Sequence, residues 1–277
     1  MHNAAFAKLG LNWRYVACEV ELKRLHEAIE GAKAMNFAGL NLTVPHKLLA
    51  VEMVDQLDHS AMMWRAVNTI KFEKDLDGRT RAVGYNTDAD AIVTSLREDL
   101  AVSLPGAKVL LLGVGGAGRT AALKLASENV AELFLVNRTV SKAEEVAAEI
   151  QKQFPAVKVS VGYPAAAVDL IVNATSLGLN PDDPSPLDEN QFPLKQARAV
   201  YDMIYRPAET RLLKAAKKAR CHTANGLGML LHQGAKAFEL WTGQAAPLDV
   251  MRKALEKEIY KAAAPAKTRS PKAKKKG

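Results

Sequence analysis

The sequence predicts an α/β protein whose second half is a parallel sheet wrapped by helices. Three observations carry this expectation. The run "KVLLLG" (108–113) is short and wholly apolar, as a strand covered on both faces must be. After it, strand-like stretches alternate with helix-like ones, the rhythm of a doubly wound sheet. Before it, "SLPGAK" (103–108) is the clearest punctuation in the chain, and it divides 277 residues, a comfortable length for two domains.

Taken in order, the opening "MHNAAFAKLG" has helical spacing, with nothing before it to cap or dock it. "RYVACEV" (14–20) reads as a strand and 21–35 as a helix. "FAGLNLTV" (37–44) is a second strand, and a helix over 45–57 follows with Pro45 in its first turn. "AVNTIKFEK" (66–74) and "TRAVGYNT" (80–87) flank the turn "DLDGR" as a hairpin, and 88–100 is helical. Beyond 108–113, strands are expected at "ELFLVN" (132–137), "VKVSV" (157–161), "DLIVNAT" (169–175) and "AVYDMIY" (199–205). Helices over 226–241 and 247–262 close the body, and no internal repeat is present.

Composition narrows the class. At 48% hydrophobic and 25% charged residues the chain has an ordinary globular balance. No apolar run reaches the ~18 residues of a membrane span, and no export leader is read at the start. Two distant cysteines, Cys18 and Cys221, fit a reducing, cytoplasmic setting rather than a disulfide framework. The net charge of +8 is concentrated in "KAAAPAKTRSPKAKKKG" (261–277), which holds six Lys, one Arg and no acid, leaving about +1 for the rest. That tail (263–277) is expected to be disordered and solvated, or loosely attached to nucleic acid or an acidic membrane. The six histidines show no ligand spacing, so no metal is expected.

"KVLLLGVGGAGRTAALKLA" places Gly113, Val114, Gly115, Gly116, Ala117 and Gly118 between a buried strand and an Ala/Leu helix. Glycines let the backbone approach a diphosphate, and the helix start offers free N–H groups to the anion; the alternative is a tight turn with no ligand. An NAD-binding chain usually carries an acid at the end of the next strand. Here "NRTVSK" puts Asn137, Arg138, Thr139 and Lys142 there, groups that suit the 2′-phosphate of NADP, or else are ordinary cations at a helix start. The first half must then hold the substrate. Asn41, Thr43, Lys47, Asn68, Asn86, Thr87 and Asp88 cluster at predicted strand ends, a cup for a hydroxylated ligand with one acid–base lysine and one carboxylate partner. Singly, each fragment reads first as a capped helix or a turn.

Together, "NLTVPHK", "AVNT", "NTD", "GVGGAGR", "NRT", "NATSLG", "YDMIYRP" and "NGLGMLLHQGAKAFELWTG" resemble, in order and spacing, the shikimate dehydrogenases, from Met1 to about Lys261. The resemblance implies NADPH-dependent reduction of 3-dehydroshikimate to shikimate, in the route to chorismate and the aromatic amino acids. It implies Lys47 and Asp88 as the catalytic pair. Thr43, Asn68, Asp88, Tyr205 and Gln233 become substrate contacts, and Met203 and Gly226 line the nicotinamide. It implies a substrate-binding domain over 1–100, completed by helices 226–262, and a Rossmann-type NADP domain over 101–225. Monomer and homodimer both remain open.

The chain departs from the family at several points. Members place a strand and an "SLSP"-like turn, whose serines bind the substrate carboxylate, before the residues matching His2 and Asn3. Three readings follow: serines encoded upstream, weakened substrate binding, or an NADP-binding homologue without turnover. Arg65 stands for a usual Gly, Ala89 for Gly, Leu179 for Met and Arg206 for Asn, so substrate preference is open to a shift, with NAD-using quinate/shikimate dehydrogenases as the alternative. Met62 and Met63 are expected to pack, as are Phe238 and Trp241, and His46 to start a helix.

Overall fold

The computed structural model describes residues 1–43 and 45–261, and the basic tail expected to be disordered lies outside them. The chain begins with α1 (His2–Lys8), α2 (Leu25–Ala34), β1 (Gly39–Asn41), β2 (Gln56–Leu57), α3 (His59–Trp64), β3 (Thr69–Lys74), β4 (Thr80–Tyr85) and α4 (Asp88–Leu100). The strands form one sheet in the order β1-β3-β4-β2, antiparallel except where β2 joins β4. The β3–β4 turn forms because Asp75 Oδ1 accepts from the N–H groups of Asp77 and Arg79, and Gly78 takes φ +77°.

The second half runs β5 (Lys108–Leu112), α5 (Gly116–Ser127), β6 (Glu132–Val136), α6 (Val140–Gln153), β7 (Lys158–Val161), β8 (Val168–Asn173), β9 (Ala197–Asp202), α7 (Arg211–Lys218) and β10 (His222–Asn225). All six strands are parallel, in the order β10-β9-β8-β5-β6-β7. This is the doubly wound arrangement in which the winding direction reverses between β5 and β8, opening a crevice at their carboxyl ends. Val109 to Leu112 are almost fully buried because helices cover both faces.

Two helices follow, α8 (Leu227–Thr242) and α9 (Leu248–Ile259). They return to the first sheet, where Trp241 Nε1 donates to Ile70 O at 2.9 Å. Phe238 is fully buried, as expected, and Trp241 is partly so. The opening helix is docked after all: Ala5 and Phe6 pack with Leu231, Phe238, Met251 and Leu255.

Several local expectations fail for identifiable reasons. Residues 14–20 form no strand: no neighbouring strand meets this backbone, and Tyr15 is instead tied to Asn3, its N–H donating to Asn3 Oδ1 at 2.7 Å. The strand over 37–44 shortens to Gly39–Asn41, and the helix over 21–35 starts only at Leu25 after a 3₁₀ turn. The helix over 45–57 reduces to a 3₁₀ turn at Leu49–Glu52, and His46 sits in a turn with Nε2 3.0 Å from Val20 O. Asp55 N–H donates to Ala82 O at 3.0 Å, which draws the chain into β2 and ends any helix. Met62 and Met63 are 55% and 39% exposed, since α3 turns only Ala61 and Trp64 inward. The helices α3 and α7 and the strand β10 were not expected; α3 is a six-residue cap-to-cap turn, and "HTAN" lacks the apolar run that marks a strand. Cys18 is exposed and Cys221 buried, and both are free thiols.

Candidate active site

The end of β4 builds the first half of the site. Asn86 Oδ1 accepts from the N–H groups of Asp88 and Ala89, 3.1 Å each, and so satisfies two free donors at the start of α4. This holds Asp88 in the first turn, where the positive end of the helix dipole favours a carboxylate. Asp88 Oδ2 accepts from Lys47 Nζ at 2.7 Å, and Oδ1 accepts from Asn68 Nδ2 at 2.9 Å. Asn68 is fixed in turn, its Oδ1 accepting from Thr87 N at 2.8 Å. Lys47 is anchored through its carbonyl, which accepts from Val67 N at 2.9 Å. The Lys47 and Asp88 side chains are 24% and 14% exposed, partly desolvated yet open to a ligand. A charge-assisted pair in this setting can hold a proton at a defined point and pass it to an oxygen placed there.

Asn41 extends the polar strip. Its Nδ2 donates to Thr69 Oγ1 at 3.0 Å, and its Oδ1 accepts from Tyr15 Oη at 3.0 Å. Three predicted substrate contacts are not brought into hydrogen bonds with the pair. Thr43 is exposed, Tyr205 is 38% exposed, and Gln233 donates its amide to Leu230 O in its own helix. Arg65 ends α3 with φ +49°, the left-handed conformation that glycine adopts without strain and a side chain does not.

The glycine turn faces the crevice of the parallel sheet. Gly113 has φ +89°, and a Cβ there would meet Thr175 Cγ2 at 2.7 Å; one on Gly118 would lie 2.1 Å from Gly113 O. Gly115 and Gly116 are different: a Cβ would meet nothing within 4 Å. They, with Ala117, are exposed at the start of α5, whose N-cap Gly115 supplies no side-chain cap. An open glycine surface on an uncapped helix start fits a diphosphate. Val114 N donates to Asn137 Oδ1 at 3.1 Å, and Asn137 Nδ2 donates to Thr139 O at 2.8 Å, so Asn137 ties the turn to the next loop. Arg138, Thr139 and Lys142 are exposed, and among the described residues neither Arg138 nor Lys142 forms an ion pair. Met203 and Gly226 abut, a Cβ on Gly226 lying 2.1 Å from Met203 O. No group of three or more His, Cys, Asp or Glu among the described residues is arranged to hold a metal ion.

Sequence reasoning missed a buried polar hub at the ends of β8 and β9. Asp202 Oδ1 accepts from Asn173 Nδ2 (3.0 Å) and Ile204 N (3.1 Å), and Oδ2 accepts from Thr210 Oγ1 (2.6 Å). Asn173 and Asp202 are fully buried and Thr210 nearly so. Burial raises the Asp202 pKa above the usual carboxylate value. The only signal was polar residues closing two apolar strands, in "NAT" and "YD".

A glycine turn on a reversing parallel sheet, set beside a lobe that presents a lysine–carboxylate pair, defines the two-lobed dehydrogenase class. Models of that class match the chain by segment. Residues 1–70 match the shikimate dehydrogenase substrate binding domain, 95–180 the shikimate / quinate 5-dehydrogenase family, and 226–256 the shikimate 5′-dehydrogenase C-terminal domain. Shikimate dehydrogenase (NADP(+)) of Methanopyrus kandleri is 40% identical over 262 residues, covering 92% of this chain and 89% of that protein. A crystal structure of shikimate dehydrogenase in complex with NADP+ superposes with TM-score 0.85 at 40% identity, over 94% of this chain and 90% of that one. The Thermus thermophilus enzyme, solved in complex with NADP(H) and shikimate, gives TM-score 0.79 at 34% identity over 92% of both chains. The chain belongs to the shikimate dehydrogenase family. No helix among the described residues is long and apolar enough to cross a membrane.

Proposed function

We propose that this chain is an NADP-dependent shikimate dehydrogenase that reversibly reduces 3-dehydroshikimate to shikimate, in the route to chorismate and the aromatic amino acids. The observation that carries the reading is the Lys47–Asp88–Asn68 set, 2.7 and 2.9 Å, on a chain whose relatives bear that name. When bound, NADPH supplies the hydride to the ketone carbon, and NADP+ accepts it in the reverse direction. Lys47 donates a proton from Nζ to the carbonyl oxygen as negative charge gathers there, leaving a hydroxyl and a neutral amine that solvent reprotonates. Asp88 holds the ammonium in place, and Asn68 holds Asp88. Thr43, Asn68, Tyr205 and Gln233 contact the ring hydroxyls and carboxylate.

The cofactor reading rests on this chain's own residues. Gly113, Val114, Gly115, Gly116 and Ala117 receive the diphosphate. Asn137, Arg138, Thr139 and Lys142 receive the 2′-phosphate, which the free cations of "NRTVSK" suit better than the hydroxyl of NAD. Met203 and Gly226 border the nicotinamide. The reading carries a cytoplasmic location and a monomer or homodimer. The positive charge lies in the tail and not on the near-neutral body, so the reading needs no nucleic-acid partner.

The test is NADP+ reduction with shikimate, followed by NADPH absorbance, on the unmodified chain and on Lys47→Ala. The unmodified chain is expected to turn over. The variant is expected to lose turnover at least a hundredfold while binding NADPH as before. Undiminished turnover in the variant would remove Lys47 from the mechanism.

A further inference from the structure

We infer that Asp202 is an electrostatic positioning residue that makes the cofactor site prefer the oxidised, positively charged nicotinamide. The inference rests on the NADP reading above and goes beyond it. Asp202 ends β9 one residue before Met203, and Ile204 O accepts from Gly226 N at 3.2 Å, so the carboxylate underlies the nicotinamide border. It also ties that border to the glycine turn. Asn173, which donates to Asp202, accepts from Thr175 N (3.0 Å) and Thr175 Oγ1 (2.7 Å), and Thr175 packs where a Gly113 Cβ would lie.

Two features make this more than a structural clamp. Oδ1 meets two groups that can only donate, and the buried Thr210 hydroxyl, which accepts from Leu213 N at 3.3 Å, turns its own proton to Oδ2, so the ionised form is the one that leaves no member of the hub unsatisfied. No cation offsets it: among the described residues Asp202 forms no salt bridge, and it is fully buried. A buried anion without a counter-ion acts on a nearby cation far more strongly than one in water. The nicotinamide ring is cationic in NADP+ and neutral in NADPH, so the anion distinguishes the two.

Asp202→Asn tests this with little change of shape. The amide oxygen keeps the Asn173 and Ile204 donors, and the amide NH₂ donates to the Thr210 hydroxyl. Affinities for NADP+ and NADPH are read by titration, with no turnover needed. The expected result is that the preference for NADP+ over NADPH falls at least about threefold, the scale of one unit charge acting through partly desolvated protein. Thr210→Val removes two hydrogen bonds, one to Asp202 and one from Leu213 N, but no charge, and is expected to leave the ratio unchanged. Equal weakening of both forms in Asp202→Asn would overturn the inference, as would the same ratio change in Thr210→Val. If Asp202→Asn fails to fold, the unmodified chain decides: NADPH binding tighter than NADP+ overturns the inference. Failure of the unmodified chain to bind either form would remove the NADP reading itself.

Discussion

Asp88→Asn separates charge from shape at the pair. Asp88 presents two oxygens to two groups that only donate there, Lys47 Nζ at 2.7 Å and Asn68 Nδ2 at 2.9 Å. An asparagine offers one oxygen and one NH₂, so one donor must face another. Turning the oxygen toward Lys47 is the cheaper choice, because Asn68 Nδ2 also reaches Thr87 Oγ1 at 3.0 Å. Lys47 then keeps a hydrogen bond but loses the negative charge that holds its ammonium. The new NH₂ is left unpaired in a half-buried place, a cost of about 1–3 kcal/mol in stability. Misplaced acid–base groups cost on the order of 10²–10⁴ in rate, so kcat is expected to fall roughly 10²–10³-fold. NADPH affinity should stay within about twofold, since the glycine turn is on the other sheet. Initial rates with shikimate, an NADPH titration and a denaturant midpoint give the three readouts. A variant that keeps more than about a tenth of the unmodified rate would refute the role assigned to the pair.

Two further outcomes follow from the same geometry. Arg138→Ala with Lys142→Ala is expected to raise the NADPH Kd at least about tenfold, from loss of charge-assisted contacts, with NADH affinity little changed; an equal effect on both cofactors would count against a 2′-phosphate site. His2 is 4% exposed, and burial, with the N-terminal ammonium as a smaller cause, lowers its pKa from 6.5 to about 4. Protonation therefore favours the unfolded chain: the stability is fully present above pH 6.5 and is lost as pH falls toward 4, by at most about 3 kcal/mol. Denaturant midpoints across that window should show this slope, and His2→Phe should flatten it; an unchanged slope would place the titration elsewhere.

What was legible in the sequence was whatever depends on local chemistry. The apolar run at 108–113, the glycine turn and the Asp75 hairpin each carry their own cause, and each forms where expected. What was not legible depends on a distant partner. "RYVACEV" has strand composition, but a strand exists only when another backbone meets it. The 45–57 segment has helical spacing, but the Asp55–Ala82 bond pulls it into a sheet. Of the cup residues, Lys47, Asn68 and Asp88 come together because caps and strand ends fix them. Tyr205, at 38% exposure, belongs to a loop that no such cap holds against the pair. The Asp202 hub escaped notice because one buried carboxylate among apolar residues has no periodic signature.

The lysine pair and the glycine turn stand on different sheets, so hydride and proton chemistry depends on what sets their separation. Polar joints contribute to it, and two of them lead to the members of the pair. Tyr201 Oη lies 2.9 Å from Ser95 Oγ, and Ser95 Oγ donates to Asp99 Oδ2 at 2.7 Å, so the tyrosine is the donor in the first contact. Burial raises the Tyr201 pKa, which keeps that donor in place at any working pH. Ser95 sits on the helix that begins with Asp88, so β9 is bolted to the carboxylate's own element. On the other side, Arg119 from the glycine helix donates Nη1 to Trp64 O at 2.9 Å and Nε to Glu149 Oε2 at 2.9 Å. Trp64 is three residues from Val67, whose N–H holds the Lys47 carbonyl. Each member of the pair is thus referred to the dinucleotide sheet by its own hydrogen-bonded joint. Such joints fix distance and angle, where apolar contact alone would let the surfaces slide.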